Sequence, residues 1–312
     1  MSTKTEYVVE GECAGNTLAQ FLRNRIEGTS WNRARELCRR GKVQVNGQLA
    51  TDATCRLQSG DRIEVNPTAP RWRPDALDRA ALVHCDAQVV VVNKPAGVIS
   101  VPCARNEHNT LVDQTHRLLR GKRGFQRQPL GVVHRLDVGT TGLLVFTRTL
   151  FAKRYLKLQF LKHSIERRYL AIAHGTVEAG TVDTCFVPDR GDGLRGSFGR
   201  FRRARGPLPA GAQRAITHVK PLRALRGATL VECTLETGRQ HQIRIHLSEQ
   251  GHPLIGETIY IRDFPGPLIP APRPLLHAAV LGFEHPASRE LVRYEAPPPA
   301  DFTAVLERLA LR

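Results

Sequence analysis

The chain has 312 residues, 41% hydrophobic and 24% charged, with 46 Lys plus Arg against 29 Asp plus Glu, a net charge of +17 and a pI near 10.3. That balance excludes wholesale disorder and leaves room for one or two proper cores, so two domains are expected. No apolar run approaches the roughly 20 residues of a membrane helix, and the start MSTKTEYVVEGE lacks the basic and apolar regions of a leader, which points to a cytoplasmic protein without a membrane partner. Of the basic residues 38 are arginine, whose planar fork suits phosphates and stacks on bases. Nucleic acid is therefore the first partner to consider, beside a merely solvated surface. The seven cysteines form no CxxC pair and read as reduced, packed thiols. His241 and His246 lie five apart, on opposite faces if their segment is a strand, so no metal is implied.

In chain order, NTLAQFLRNRI places Leu18, Phe21, Leu22 and Ile26 on one helical stripe behind an Asn16 or Thr17 cap. SWNRARELCRRG reads as a second helix, capped by Ser30, with Ala34, Leu37 and Cys38 inward and Gly41 as its stop. Arg33, Arg35, Arg39, Arg40 and Lys42 crowd its remaining surface. KVQVNGQLA then turns at Asn46-Gly47, a strong hairpin signal, and SGDRIEV supplies another strand. A basic helix on a small sheet is either a solvated face or an RNA-backbone reader. Ser30 to Gly47 and Gly60-Asp61 resemble the S-four domain, a small module named after a ribosomal small-subunit protein, over about residues 14 to 66. The resemblance implies binding of structured RNA through those five basic side chains, and no chemistry.

NPTAPRWRPDA reads as a stiff linker. Beyond it comes a larger mixed domain, with buried strands in VVVVNKPAG and GLLVFTRT and helices in TLVDQTHRLLRG and LFAKRYLKLQFLKH, the latter with Phe151, Tyr155 and Leu158 on one side. RRYLAIAHG reads as a strand and DFTAVLERLALR as a capped amphipathic helix. The expected division is 1–66, linker 67–79, and 80–312. Residues 1–75 carry a net charge of only +3, leaving +14 for the rest. Within 117–168 there are 13 basic residues and two acidic ones, Asp137 and Glu166.

GVVHRLDVGTTGLLVF sets Asp137 among polar residues between hydrophobic runs. Such a segment is more often a turn than a site, but a carboxylate amid positive charge suits a nucleophile or base. HRLDVGTTG resembles the signature H-R-L-D-x-x-T-S-G of the RluA-type pseudouridine synthases. Other family segments occur in order: NKPAG (93–97), R-Y-L-A-x-x-x-G (168–175), Ala215 to Thr217, L-E-T-G-R-Q-H-Q-I-R-I-H-L (235–247), G-H-P-L-I-G-E-x-x-Y ending at Tyr260, and L-H-A near His277. Thr141, Gln240 and Glu257 depart from the usual Ser, Thr and Asp. The resemblance implies an α+β catalytic domain on a mixed, largely antiparallel sheet. It implies Asp137 as the catalytic carboxylate, Tyr169 as the platform under the extruded base, and Arg244 as the partner of Asp137. Arg135 would enter the helix where the base leaves, Leu254 would form an apolar wall, and His134 and Thr140 would line the substrate.

Turning uridine into pseudouridine breaks the N1–C1′ bond, rotates the base and rejoins it through C5, with no net redox or hydrolysis and therefore no cofactor or metal. Whether the aspartate adds to C1′, adds to C6 or takes the 2′ proton stays open. Gly191, Gly193 and Gly196 fit the dinucleotide fingerprint, but Pro188 before them and no helical stripe after them deny it strand and helix. That segment reads better as an RNA-facing loop, with Arg190, Arg195, Arg200, Arg202, Arg203 and Arg205 for phosphates and Phe198 and Phe201 for bases, or as a solvated one. The expected function is a monomeric, cofactor-free RNA pseudouridine synthase acting on bacterial large-subunit ribosomal RNA. The alternatives are transfer RNA as substrate or a non-catalytic ribosome assembly factor.

Overall fold

The computed structural model describes residues 4–69, 77–102, 109–120, 129–200 and 207–311. The chain divides into two compact units, Met1–Asp75 and Ala76–Arg312. Most of the expected linker lies outside the described residues, as do Phe201, Arg202, Arg203 and Arg205 of the glycine-arginine segment.

In the small unit, β1 (Thr5–Val8) precedes α1 (Leu18–Arg25) and α2 (Trp31–Arg39), followed by β2 (Val43–Val45), β3 (Gln48–Leu49) and β4 (Arg62–Val65) in the sheet order β1-β4-β2-β3. The local signals explain the ends. Thr17 Oγ1 accepts from Gln20 N at 3.2 Å and Ser30 Oγ from Arg33 N at 3.2 Å, so each helix starts on a side-chain cap. Asn46 and Gly47 both adopt positive φ, 52° and 77°, the mirror-image turn that matches strand twist between β2 and β3. Leu18, Phe21, Leu22, Ala34, Leu37 and Cys38 close one core with Val43, Ile63 and Val65.

The large unit runs β5 (Leu82–Cys85), β6 (Val89–Lys94), α3 (Leu111–Leu119), β7 (Gly131–Val132), β8 (Thr141–Thr147), α4 (Leu150–Leu161), β9 (Glu166–His174), β10 (Gly180–Val187) and β11 (Gly196–Ser197). It continues through β12 (Gln213–Leu225), β13 (Ala228–Leu235), α5 (Gln242–Glu249), β14 (Leu276–Glu284), β15 (Leu291–Glu295) and α6 (Ala300–Arg308). Eleven strands form one sheet, ordered β11-β10-β12-β13-β9-β14-β8-β6-β5, with β15 on β14 and β7 on β8. Among the described residues only β14 against β8 is parallel, which makes the sheet mixed and largely antiparallel as expected. That contact is tight: Gly142 has φ 110°, and a Cβ there would stand 2.2 Å from the Ala278 carbonyl oxygen. The last glycine of the HRLDVGTTG segment is thus where two paired parallel strands approach at backbone distance.

Two expectations fail, the strand at 242–249 and the side-chain cap of α6. Residues 242–249 form a helix, not a strand. The alternation of Ile243, Ile245 and Leu247 suggested period two, but Gln242 through Leu247 are all buried, so periodicity carries no information there. On α4 Phe151, Tyr155 and Leu158 do share one side, which is the outer one, while Ala152, Leu156 and Gln159 face inward. At the start of α6, Pro299 replaces a capping side chain. Among the described residues no helix is long and apolar enough to cross a membrane.

Candidate active site

Asp137 sits in the loop between β7 and β8, and its side chain is 19% exposed. The loop is tied down almost carbonyl by carbonyl. Ser100 Oγ donates to Leu136 O at 2.6 Å and accepts from Leu136 N at 3.1 Å. Gly97 N donates to Val138 O, Thr140 N to Asp137 O, and Arg273 Nη1 to Gly139 O at 3.0 Å. Lys94, wholly buried at the end of β6, spreads its ammonium over Pro95 O, Val138 O and Thr140 O at 2.8 to 3.0 Å. Burial pushes Lys94 down to about 7, against the pull of the Asp137 charge. The NKPAG segment therefore builds the underside of the Asp137 loop. A lysine ending an otherwise apolar strand was the available signal.

Tyr169 and Leu254 arrive from elsewhere in the chain. Tyr169 lies on β9, between Cys233 of β13 and Ala278 of β14, and shares one apolar cluster with Leu136 and Leu254. Its phenol is raised by burial, and it feels the charges of Arg167 and Asp137. Leu254 is fully buried and bridges to Ala173. Arg135, two residues before Asp137, is exposed.

Arg244 departs from its expected bond. Its guanidinium is forked on Glu257, Nε to Oε2 and Nη2 to Oε1, both at 2.7 Å, and Asp137 acts on it only at longer range. Glu257 also accepts from the backbone of Thr258 and Ile259 at 3.0 and 2.9 Å. Burial opposes both charges, yet each holds the other ionised: Arg244 lies above and Glu257 below its ordinary value.

His134 and Thr140 belong to the framework. His134 Nε2 accepts from Val145 N at 3.0 Å and its ring lies 4.8 Å from Phe160. Burial, helped by the charge of Arg167, pushes it down to about 3, so it is a neutral structural imidazole. Thr140 is 3% exposed and serves through its backbone. Thr141 Oγ1 meets Nδ1 of His277 at 2.8 Å, while Nε2 of His277 donates to Ala296 O at 2.9 Å. The Thr found in place of Ser thus fits a partner on β14.

One residue beside Asp137, His241, has no site role in the sequence reading. His241 initiates α5 in the left-handed region, with Nε2 3.8 Å from Asp137 Oδ1 and Nδ1 2.8 Å from Tyr260 Oη. His246, earlier weighed with it as a ligand, is buried between Thr217 and Thr184.

A model of the RNA pseudouridylate synthases matches residues 88–249, and one of the S4 domain matches 18–63. Ribosomal large subunit pseudouridine synthase D of Zymomonas mobilis is 36% identical over 312 residues, covering 96% of each chain. The chain belongs to the RNA pseudouridine synthases. An uncharacterized RNA pseudouridine synthase of Bacillus subtilis, YlyB, is 35% identical over 93% of each chain. Among solved structures, human RNA pseudouridylate synthase domain containing 4 aligns with a TM-score of 0.59 and 25% identity, over 74% of this chain and 93% of that one.

In this pseudouridine synthase the glycine run at 191–196 serves no dinucleotide: β10 stops at Val187, and β11 rather than a helix follows. Arg190, expected to meet phosphates, is 3% exposed and holds Asp192 and Glu249 at 3.0 to 3.2 Å. It is a buried brace for α5. In the small unit Arg33 and Arg40 both reach Glu36, and Lys42 donates to Ala69 O. Arg35 instead lies 6.0 Å over Trp31, an exposed ring that Arg23 also covers at 5.0 Å.

Proposed function

We propose that this synthase converts specific uridines of bacterial large-subunit ribosomal RNA into pseudouridine, with Asp137 as the catalytic carboxylate and no cofactor. The carrying observation is a largely covered carboxylate, 19% exposed, on a loop pinned by Lys94, Ser100 and Arg273, with Tyr169 and Leu254 in the adjoining apolar cluster. The substrate reading draws on relatives named ribosomal large subunit pseudouridine synthase D.

The chemistry follows from those surroundings. Taking a base out of its stack costs a few kcal/mol, which an aromatic platform at Tyr169 and an apolar wall at Leu254 offset. Arg135 fills the space the base leaves. Asp137, with its loop already fixed, meets the sugar or base without reorganising. The closed apolar surround then keeps the cleaved uracil in place while it turns to present C5. The proposed protein is a monomer, in the cytoplasm where ribosomes assemble. The α2 face, with Arg35, Arg39 and Trp31, holds structured RNA through phosphates.

The test is carbodiimide labelling with reverse-transcription mapping of ribosomal and transfer RNA from cells with and without the protein. A stop lost from large-subunit RNA, and restored by wild-type protein but not by Asp137→Asn, supports the assignment. Turnover by Asp137→Asn, or loss confined to transfer RNA, overturns its corresponding part.

A further inference from the structure

With Arg244 committed to Glu257, the group that faces Asp137 is an imidazole. Among the described residues the ion pair of Asp137 is to His241, Nε2 to Oδ1 at 3.8 Å, with the two side chains 20% and 19% exposed. On its other side His241 Nδ1 meets Tyr260 Oη at 2.8 Å, the two rings standing edge to face at 5.7 Å and 75°. Tyr260 is itself immobilised. It is 3% exposed, its ring lies between the guanidinium groups of Arg244 and Arg190 at 5.5 and 5.4 Å, and its carbonyl accepts from Ser248.

We propose that His241, locked by Tyr260, is the positioning residue that presents an Nε2–H to the Asp137 carboxylate and fixes the direction of its attack. The proposal rests on the assignment of Asp137 as the catalytic group.

The proton inventory favours a hydrogen on Nε2 in both the neutral and the doubly protonated ring. A neutral imidazole has one donor nitrogen, and a carboxylate only accepts. If Nδ1 carried the sole proton, the Nε2 lone pair would confront Oδ1, which is repulsive. When Tyr260 donates to Nδ1, Nε2 carries the hydrogen and points it at Asp137. If the ring is doubly protonated, Nδ1 donates to Tyr260 and Nε2–H again faces Asp137. Tyr260 keeps the proton it would donate, because burial pushes its phenol above its ordinary value. At 3.8 Å the contact is longer than a hydrogen bond, as catalytic contacts often are before substrate tightens them.

The backbone points the same way. His241 adopts φ 57° and ψ 20°, a region that glycine enters freely and a histidine does at a cost. A residue serving only to start α5 would be better as glycine or asparagine, and His241 makes no side-chain cap to the helix. The imidazole is held at a strained position in front of the carboxylate, which accords with a role in the site.

The design of the test uses that backbone. His241→Gly removes the ring while relieving the strain, so the fold is kept. It is expected to lower kcat about 10- to 100-fold, the cost of a misaligned group, with KM for the RNA unchanged. His241→Gln, whose amide reaches as far as Nε2, is expected to recover a large part of kcat. Tyr260→Phe is expected to lose several-fold, and the His241→Gly/Tyr260→Phe double variant to be no slower than His241→Gly alone. Wild-type kcat in His241→Gly, a defect confined to KM, no rescue by Gln, or additive effects of the two substitutions would each overturn the proposal. Should Asp137→Asn stay active, the assignment of Asp137 fails, whatever the His241 series gives.

Discussion

The two units use arginine in opposite ways. On α2 of the small unit the guanidinium groups stand outside, with Arg33 and Arg40 paired with Glu36 and Arg35 laid over the exposed Trp31. In the large unit Arg167, Arg190, Arg244 and Arg273 are 3 to 7% exposed and each is bonded to fixed acceptors. The surface set adds attraction to a polyanion without deciding the fold. The buried set spends charge on geometry, bracing α5 and the Asp137 loop. Net charge alone therefore overstates how much of the +14 in the large unit faces RNA.

The sharpest break of that comparison is at the buried pair. Glu257→Gln or Arg244→Met is expected to abolish measurable turnover and to destabilise the fold by about 3 to 5 kcal/mol, since each strands a buried charge. Replacing both with apolar residues should cost less stability than either single change, although activity stays lost. Urea unfolding of the three variants beside pseudouridine assays checks this, and equal destabilisation by all three contradicts it.

Lys94→Met comes next, because it removes the ammonium that ties Val138 O and Thr140 O of the Asp137 loop to Pro95 O. About 3 kcal/mol of stability and most of kcat are expected to go, with RNA affinity kept. Thermal melts and single-turnover rates separate the two effects.

Acid acts on the same buried framework. His134 at about 3 and His246 at about 4 are neutral in the fold, while the unfolded chain takes up protons near 6.5. The folded values are lowered, so their contribution is full above pH 6.5 and is lost as pH falls toward 4. Each histidine removes about 1.4 kcal/mol per pH unit in that window. Urea midpoints from pH 7 down to 4.5 should slope accordingly, and His246→Gln should flatten the slope; a flat profile in the wild type excludes the effect.

The smallest effects belong to the outer arginines. Arg35→Ala and Trp31→Ala are expected to change stability by less than about 0.5 kcal/mol. They should raise KM several-fold at unchanged kcat, and Arg35→Ala should reduce the salt dependence of RNA binding by about one unit of slope. Loss of fold or of kcat in either variant would place these residues with the buried set.

Much of this was legible from neighbours in the chain. Thr17, Ser30 and the Asn46-Gly47 turn act over three or four residues, so their effect is written locally. Asp137, Tyr169 and Leu254 were found through ordered motifs, which mark positions without showing what each side chain touches. Arg244 illustrates the difference: the motif placed it, but its partner is Glu257, thirteen residues on, and the pairing appears only when α5 folds against that loop. The same holds for Lys94, whose acceptors lie 44 and 46 residues away, and for Arg190, whose Glu249 is 59 away.

The sequence by itself determined the family, the two-part organisation, the capped helices of the small unit and the candidate carboxylate, because local propensity and ordered motifs need no knowledge of distant partners. Only the tertiary structure decided which charges are spent inside. Desolvation forces every buried guanidinium, ammonium and imidazole to find an acceptor or lose its charge, and those partners are fixed by packing across the sheet. That is why α5 is a helix, why His134 is neutral, and why His241 rather than Arg244 faces Asp137.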